Sequence, residues 1–333
     1  MWRIWTYLGS GPAMAALIVS AVLAQDTGIG AASFLHFGVD ARSLGMGGAF
    51  VSLAEGFSAV YWNPAGLVQT SSARLGGTTM DLYGAGINLA FIGGVLPPNS
   101  PNSDVDSFSW KRIGVGAALT QVATEVHVFD QFGEPLGLVQ YTERCFSLGL
   151  GYAFSNSGSL GLVLKGYLFR APEAGVDGRT AWAMGIGVDI GFLFKLRDNL
   201  RLGIKVSDLG DTRIKWHNTP TEPVDLALSR YYLGMCYQFN EGAIALSYEF
   251  SRKEPTRGIF RAGLEYRIEF LSFRMGLVKP LDAEWYLTAG IGVRADWFCL
   301  DAAWLQNKAL KADSATDTIV LSIAFSLPEL SNR

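Results

Sequence analysis

The sequence predicts an all-β fold: a transmembrane antiparallel β-barrel of about 14 strands, with an N-terminal segment folded inside its lumen. Three observations carry the prediction. Hydrophobic residues make up 49% of the chain and charged residues 17%, where soluble domains carry about 25% charged residues. From Ala73 onward, side-chain character alternates with period two in stretches near ten residues, the length a tilted strand needs to cross a bilayer. The minor face of those stretches is built of Gly, Ala and Ser, not of the Lys, Glu and Thr that water would favour.

The chain divides into residues 1–24, 25–70, 71–327 and 328–333. The first part reads as a signal peptide. Arg3 gives the positive end, and the apolar run 13–23 is broken only by Ser20. At about eleven residues that run is too short to span a bilayer. Val22-Leu23-Ala24 puts small residues at −3 and −1, so cleavage is expected after Ala24. No Cys follows the cleavage point, which argues against a lipid anchor.

Residues 37–70, FGVDARSLGMGGAFVSLAEGFSAVYWNPAGLVQT, follow neither pattern. Gly45, Gly47 and Gly48 make the backbone permissive. Asn63-Pro64-Ala65-Gly66 is a turn: Asn bonds its own backbone, Pro fixes φ and Gly tolerates φ > 0. Pro64 also suits the first position of a short helix. Leu44, Met46, Phe50, Val51, Leu53, Val60 and Trp62 need cover from water, yet the stretch is too irregular to join a strand ladder. The small inward faces of the strands leave volume that must be filled. A plug inside the barrel satisfies both needs.

Residues 41–67, ARSLGMGGAFVSLAEGFSAVYWNPAGL, resemble the N-terminal signature of the FadL-like outer-membrane barrels. The resemblance is nearest to the branch that holds PorV, PorQ and the UPF0164 group. It implies that residues 25–70 form a hatch, with Gly45, Gly47, Gly48, Asn63, Pro64, Ala65 and Gly66 as its key positions. The resemblance extends more loosely over the rest of the chain after the leader, and Asp208-Leu209-Gly210 is similar to the Asn-Leu-Gly turn of that branch.

Candidate strands are 73–83, 87–96, 110–122, 142–154, 158–169, 181–196, 200–207, 229–239, 242–250, 259–268, 270–278, 285–294, 298–304 and 317–327. In the last, Ile319, Leu321, Ile323 and Phe325 share one face, and Thr318, Ser322 and Ala324 the other. In 181–196, Met184, Ile186, Ile190 and Phe192 oppose Ala183, Gly185, Gly187 and Gly191. The aliphatic face is expected outward, in lipid. Aromatic residues at strand ends, including Trp110, Tyr141, Phe154, Phe169, Phe270, Trp285 and Trp297, are expected to form interfacial girdles. Long connections are expected at 97–109, 123–141 and 208–225. A short tail, 328–333, follows the last strand.

Alternation places Arg112, Lys165, Asp189, Lys205, Glu249, Arg261, Glu265, Arg267, Arg274, Arg294 and Asp301 inward. A basic residue facing lipid near the midplane costs about 2–4 kcal/mol. Arg261, Glu265 and Arg267, flanked by Glu249 and Arg274, are expected to form a cross-strand network. Such a network either closes the lumen and holds the hatch or attracts a carboxylate or other anion. Cys145, Cys236 and Cys299 lie far apart in strand patterns: three packing residues, or one disulfide and one free thiol.

His36, His127 and His217 have no partner at metal-ligand spacing, and no nucleophile elbow occurs. Gly185, Gly187 and Gly191 alternate along one strand, which excludes a dinucleotide fingerprint. No catalytic residue, cofactor or metal is expected. A net charge of −3 gives no reason to expect nucleic acid. The resemblance implies residence in the bacterial outer membrane, in contact with its lipid. It also implies a passive channel for hydrophobic small molecules such as fatty acids, with the loop around 126–132 as a capture surface. The alternative it implies is a docking scaffold or plug of type IX protein secretion, with secretion components or cargo as partners.

Overall fold

The computed structural model describes residues 31–98, 109–129, 135–307 and 316–327. The expected leader, the tail and most of the 97–109 connection lie outside them. Sixteen strands follow an N-terminal segment of short helical turns. They are β1 (Arg74–Leu82), β2 (Ile87–Leu96), β3 (Ile113–Phe129), β4 (Pro135–Ala153), β5 (Gly158–Ala171), β6 (Ala181–Arg197), β7 (Leu200–Ser207) and β8 (Thr212–His217). Then come β9 (Val224–Ala227), β10 (Arg230–Phe239), β11 (Gly242–Phe250), β12 (Ile259–Ile268), β13 (Leu271–Pro280), β14 (Tyr286–Arg294), β15 (Phe298–Leu305) and β16 (Thr318–Ser326).

Neighbouring strands pair antiparallel. β1 pairs β16 from Arg74–Ser326 to Met80–Val320, and β5 pairs β6 from Gly158–Phe194 to Ala171–Ala181. These two seams close fourteen strands into a barrel. Closure leaves no sheet edge within the belt, which is the condition for crossing a bilayer with strands.

The outward face is apolar across the belt. Ile186 is 75% exposed and Leu148 64%; Leu162, Ile323 and Met275 stand on the same surface. Soluble monomers rarely expose contiguous apolar patches above a few hundred Å². A continuous belt of this kind is satisfied by hydrocarbon. Trp110, Phe154, Phe270, Trp285 and Trp297 are exposed near strand ends, as interfacial rings should be. Tyr141 and Phe169 are not girdle residues: each is buried inside. Tyr141 lies within β4, which starts at Pro135, so what reads as a strand end is the base of an extension; Phe169, two residues from the end of β5, faces inward.

That extension corrects two expected connections. Residues 123–129 and 135–141 are strand, not loop: β3 runs to Phe129 and β4 starts at Pro135. Residues 208–225 contain β8 and the start of β9. β6 pairs β7 along Ile190–Arg197 and β8 along Trp182–Gly185, so β7 and β8 are one line of strand with a break. The break is Asp208-Leu209-Gly210-Asp211, where Asp208, Gly210 and Asp211 have φ of 51°, 82° and 62°. Leu209 N–H still donates to Val188 O, at 2.8 Å, across the break.

We call the end where β1 starts and β16 finishes the terminal end, and the opposite one the distal end. Two cores fill the molecule. The larger lies between the N-terminal segment and the strands in the belt. The smaller lies distally, under β8 and β9, where Phe34 meets Phe169 edge-on at 6.4 Å beside Ile214 and Trp216. Cys145, Cys236 and Cys299 are all free.

Candidate functional site

The N-terminal segment comprises a 3₁₀ turn Ser33–His36, a helix Ala41–Gly45, a 3₁₀ turn Gly56–Ser58, a helix Ala59–Trp62 and a 3₁₀ turn Pro64–Val68. None is long enough to be stable alone. Side-chain caps and packing hold them. Asp40 caps the first helix: Oδ1 accepts Arg42 N–H at 3.1 Å, and Oδ2 accepts the Ser58 hydroxyl at 2.8 Å. Burial, and then the charge of Asp301, pushes the Asp40 carboxyl up to about 6.

The structure places the Asn63-Pro64-Ala65-Gly66 turn against β4, β5, β6 and β7. Asn63 is fully buried. Its Oδ1 accepts Ala65 N–H at 3.1 Å, as a helix N-cap does. Its Nδ2 donates to Val51 O at 3.0 Å and, across to the wall, to Phe192 O at 3.1 Å and Ile204 O at 3.3 Å. One amide therefore ties the turn to itself, to the segment and to two strands. Ser159 Oγ donates to Ala65 O at 2.9 Å. The inward glycines exist for this approach. A β-carbon at Gly191 would land on Asn63 Oδ1, and one at Gly161 would land on the Pro64–Ala65 peptide.

On the other side, Gly45, Gly47 and Gly48 meet β12, β13 and β14. Gly47 and Gly48 have φ of 68° and 75°, which L side chains rarely adopt. A β-carbon on Gly276 would strike Gly47 N, and Gly45 and Gly290 meet backbone to backbone. Ala41 N–H donates to Ser322 Oγ at 2.8 Å, and Thr288 Oγ1 donates to Gly45 O at 3.0 Å.

The inward charges sort into three groups among the described residues. Nearest the terminal end, Glu265 is fully buried and receives Arg42 bidentately, Nε–Oε1 and Nη2–Oε2 both at 2.9 Å. Arg274 Nε donates to Oε1 at 2.9 Å and Arg267 Nη2 to Oε2 at 2.8 Å. Arg42 also reaches Glu55 at 2.6 Å, and Arg274 reaches Asp301 at 2.7 Å. Above β6, Lys165 joins Asp189 at 2.7 Å and Asp208 at 2.6 Å, while Lys205 joins Asp189 at 3.2 Å and donates to Tyr61 O at 2.5 Å. Distally, Glu249 joins Arg261 at 2.6 Å and Arg230 at 3.1 Å, and Arg230 joins Glu254 at 3.2 Å.

The single network expected around Arg261 and Glu265 is therefore two: Arg261 turns to Glu249, and Glu265 takes Arg267 and Arg274. Arg112 and Arg294 belong to none. Arg112 sits in a 3₁₀ turn before β3, where strand alternation does not apply; it is buried over the Tyr152 ring at 6.0 Å. Arg294 ends β14 at the rim and is exposed. Arg42, Glu55, Asp208 and Arg230 were not foreseen. Arg230 stands at a strand start, a position alternation could have flagged. Arg42 pairs over 223 positions in sequence, which no local pattern reveals.

Cavities lie beside the segment. An interior one of about 40 Å³ is lined by Tyr61, Lys165, Asp189, Lys205, Tyr232 and Glu249. Its lining is mixed, with Leu35, Val60 and Phe91 beside these groups, and its volume is that of roughly three waters. A distal one of about 200 Å³ is lined by apolar residues such as Phe37, Trp62, Leu82, Val278 and Leu305, and by polar ones such as Arg257, Arg261, Asp282, Gln306 and Asn307. His36, Trp62 and Arg261 border both. Arg257 and Arg261 on the distal pocket are engaged, Arg257 with Glu254 and Asp282 at 3.9 Å and Arg261 with Glu249. Burial, and then the Arg230 charge, holds His36 well below its usual value.

No family model and no curated protein matches the chain. Solved structures do match in fold. The Pseudomonas putida toluene transporter TodX aligns with a TM-score of 0.59 at 14% identity, over 87% of this chain and 98% of its own. The monoaromatic hydrocarbon channel CymD aligns at 0.58 and 14%, over 87% and 98%. A Pseudomonas aeruginosa FadL homologue aligns at 0.57 and 13%, over 86% and 97%. The fold is that of the FadL-like barrels.

Proposed function

We propose that this protein is a passive outer-membrane channel for small, neutral hydrophobic molecules, with residues 31–70 as its hatch. The observation that carries the reading is the distal pocket: about 200 Å³, with more apolar than polar wall, set directly on the N-terminal segment. That volume is near the roughly 150 Å³ of a cavity that takes benzene. Neighbours of the same fold are named for toluene and monoaromatic hydrocarbons, which supports the class of ligand. A fatty acid fits less well. Its carboxylate would meet arginines already held by Glu249, Glu254 and Asp282. The interior cavity admits only a few waters, so passage needs the segment near His36 and Trp62 to move.

Uptake of labelled toluene by cells carrying the protein in their outer membrane tests this. Cells with the intact chain should take it up several-fold faster than cells with Val278→Trp, which fills the pocket. Equal uptake by both, and by cells without the protein, would overturn the channel.

A second reading, a docking scaffold of the type IX kind, is favoured by one observation: the wall glycines are pressed to backbone contact by the segment. It expects a stable complex with a secretion component or cargo protein and no uptake.

A further inference from the structure

The outer wall carries one large concavity. It measures about 420 Å³ and is almost wholly apolar, on the lipid-facing side of β7 and β10–β13. Register explains it. One row across the sheet reads Leu202, Met235, Leu246, Ala262, Leu277. The next row distally reads Ile204, Leu233, Tyr248, Phe260, Lys279. Every outward position in the first row is long except Ala262. That single short side chain leaves a notch between Leu246 and Leu277.

The distal rim of the notch is aromatic. Tyr248 stacks on Phe260 at 4.3 Å and on Phe250 at 5.6 Å, and Phe250 stacks on Tyr231 at 5.2 Å. Such a row marks headgroup level. Lys279 stands beside Phe260 in the same row, exposed on the outward face. It lies two residues, about 7 Å, beyond Leu277. Its Nζ donates to Ala283 O at 2.8 Å, which leaves two ammonium protons. Arg252, also exposed, sits in the turn joining β11 to β12.

We propose that this notch holds one acyl chain of a lipid with an anionic, phosphate-bearing headgroup, and that Lys279 selects the head. The apolar groove alone cannot select, because lipid tails are as apolar as the leucines around it. Some chain fills the groove in any bilayer. The charge at its rim decides which lipid stays, as basic residues at a membrane surface retain anionic heads. The site is separate from the lumen and stands whether or not the barrel is a channel.

Native mass spectrometry of the detergent-solubilised protein tests it, with phosphatidylglycerol and phosphatidylcholine as probes. The intact protein should retain phosphatidylglycerol over phosphatidylcholine. Lys279→Ala should weaken phosphatidylglycerol retention about fivefold, to the level of phosphatidylcholine. Ala262→Leu, which fills the notch without adding charge, should weaken both. Heat-modifiable gel mobility should be unchanged in each variant, showing an intact barrel. Equal retention of the two lipids by the intact protein overturns the proposal. So does a preference that survives Lys279→Ala, or retention of both lipids that is untouched by Ala262→Leu.

Discussion

The N-terminal segment meets the wall in two chemically different ways. Toward β4–β7 it is held mostly by neutral groups: the Asn63 amide, the Ser159 hydroxyl, and glycines that let backbones touch; the one charged contact, Lys205 to Tyr61 O, comes from a lysine that keeps Asp189 when the segment leaves. Toward β12–β16 neutral bonds and glycine contacts recur, but charge is added to them, with Arg42 driven into Glu265. The neutral side depends on shape, and its loss costs what a few hydrogen bonds cost. The ionic side is centred on one buried acid, Glu265, so removing that hub leaves three arginines short of their shared partner, whereas removing one arginine does not. The difference predicts which side yields first when the segment moves: the neutral side can let go without exposing an orphaned charge.

The largest expected effect tests the ionic side. Glu265→Gln leaves Arg42, Arg267 and Arg274 facing a neutral amide at a buried position, with Glu55 and Asp301 the acids that remain. Breaking a buried pair from one side costs about 3–5 kcal/mol. The variant should refold poorly into vesicles, with a much lower urea midpoint. Arg42→Met should cost less, because Glu265 keeps Arg267 and Arg274. If the two variants are equally stable, Glu265 is not the hub.

Next come two changes on the neutral side. Asn63→Asp keeps the N-cap acceptor but turns a donor amide into a carboxylate facing three carbonyls. Stranding buried acceptors in this way costs about 1–3 kcal/mol. Gly191→Ala should cost a similar amount, about 1–3 kcal/mol of overpacking, because its β-carbon lands on Asn63. Gly166→Ala is the control one strand away, with nothing within 4 Å of the added carbon. It should leave the heat-modifiability midpoint unmoved. A matched loss in both glycine variants would mean that strand propensity, not contact with the segment, sets the effect.

Much of this was legible in the chain. The barrel strands read clearly because lipid outside and a filled lumen inside impose period two on every crossing. β8 was hidden although Thr-Arg-Ile-Lys-Trp-His alternates, with Ile214 and Trp216 inward. Asp208-Leu209-Gly210-Asp211 before it and Pro220 and Pro223 after it read as loop. The glycine pattern on β5 and β6 showed that something presses on the wall. Which residue presses, and Arg42 as the partner of Glu265, are properties of the folded contact between distant stretches. Alternation gives a side chain's face and never its partner.

The smallest effect joins the two sides, because Asp40 sits between them: it caps the helix that carries Arg42 and holds Ser58 just before the Asn63 turn. Its carboxyl is raised to about 6 by burial and by Asp301, against about 3.9 in an unfolded chain. The folded state therefore binds the proton more tightly. Stability from this group is present below about pH 4 and lost as the pH rises through 6. From pH 5 to pH 7.5 the loss is about 1 kcal/mol. Intact protein should thus unfold at a slightly lower temperature at pH 7.5 than at pH 5, if other groups are held fixed by comparison with Asp40→Asn. The amide keeps the cap to Arg42 N–H and has no charge to bury, so the variant's midpoint should change less over that range. A variant with the same pH slope as the intact protein would move the titration to another group. A steeper fall in the variant would reverse the sign, and Asp40 would then be a charge that the fold stabilises.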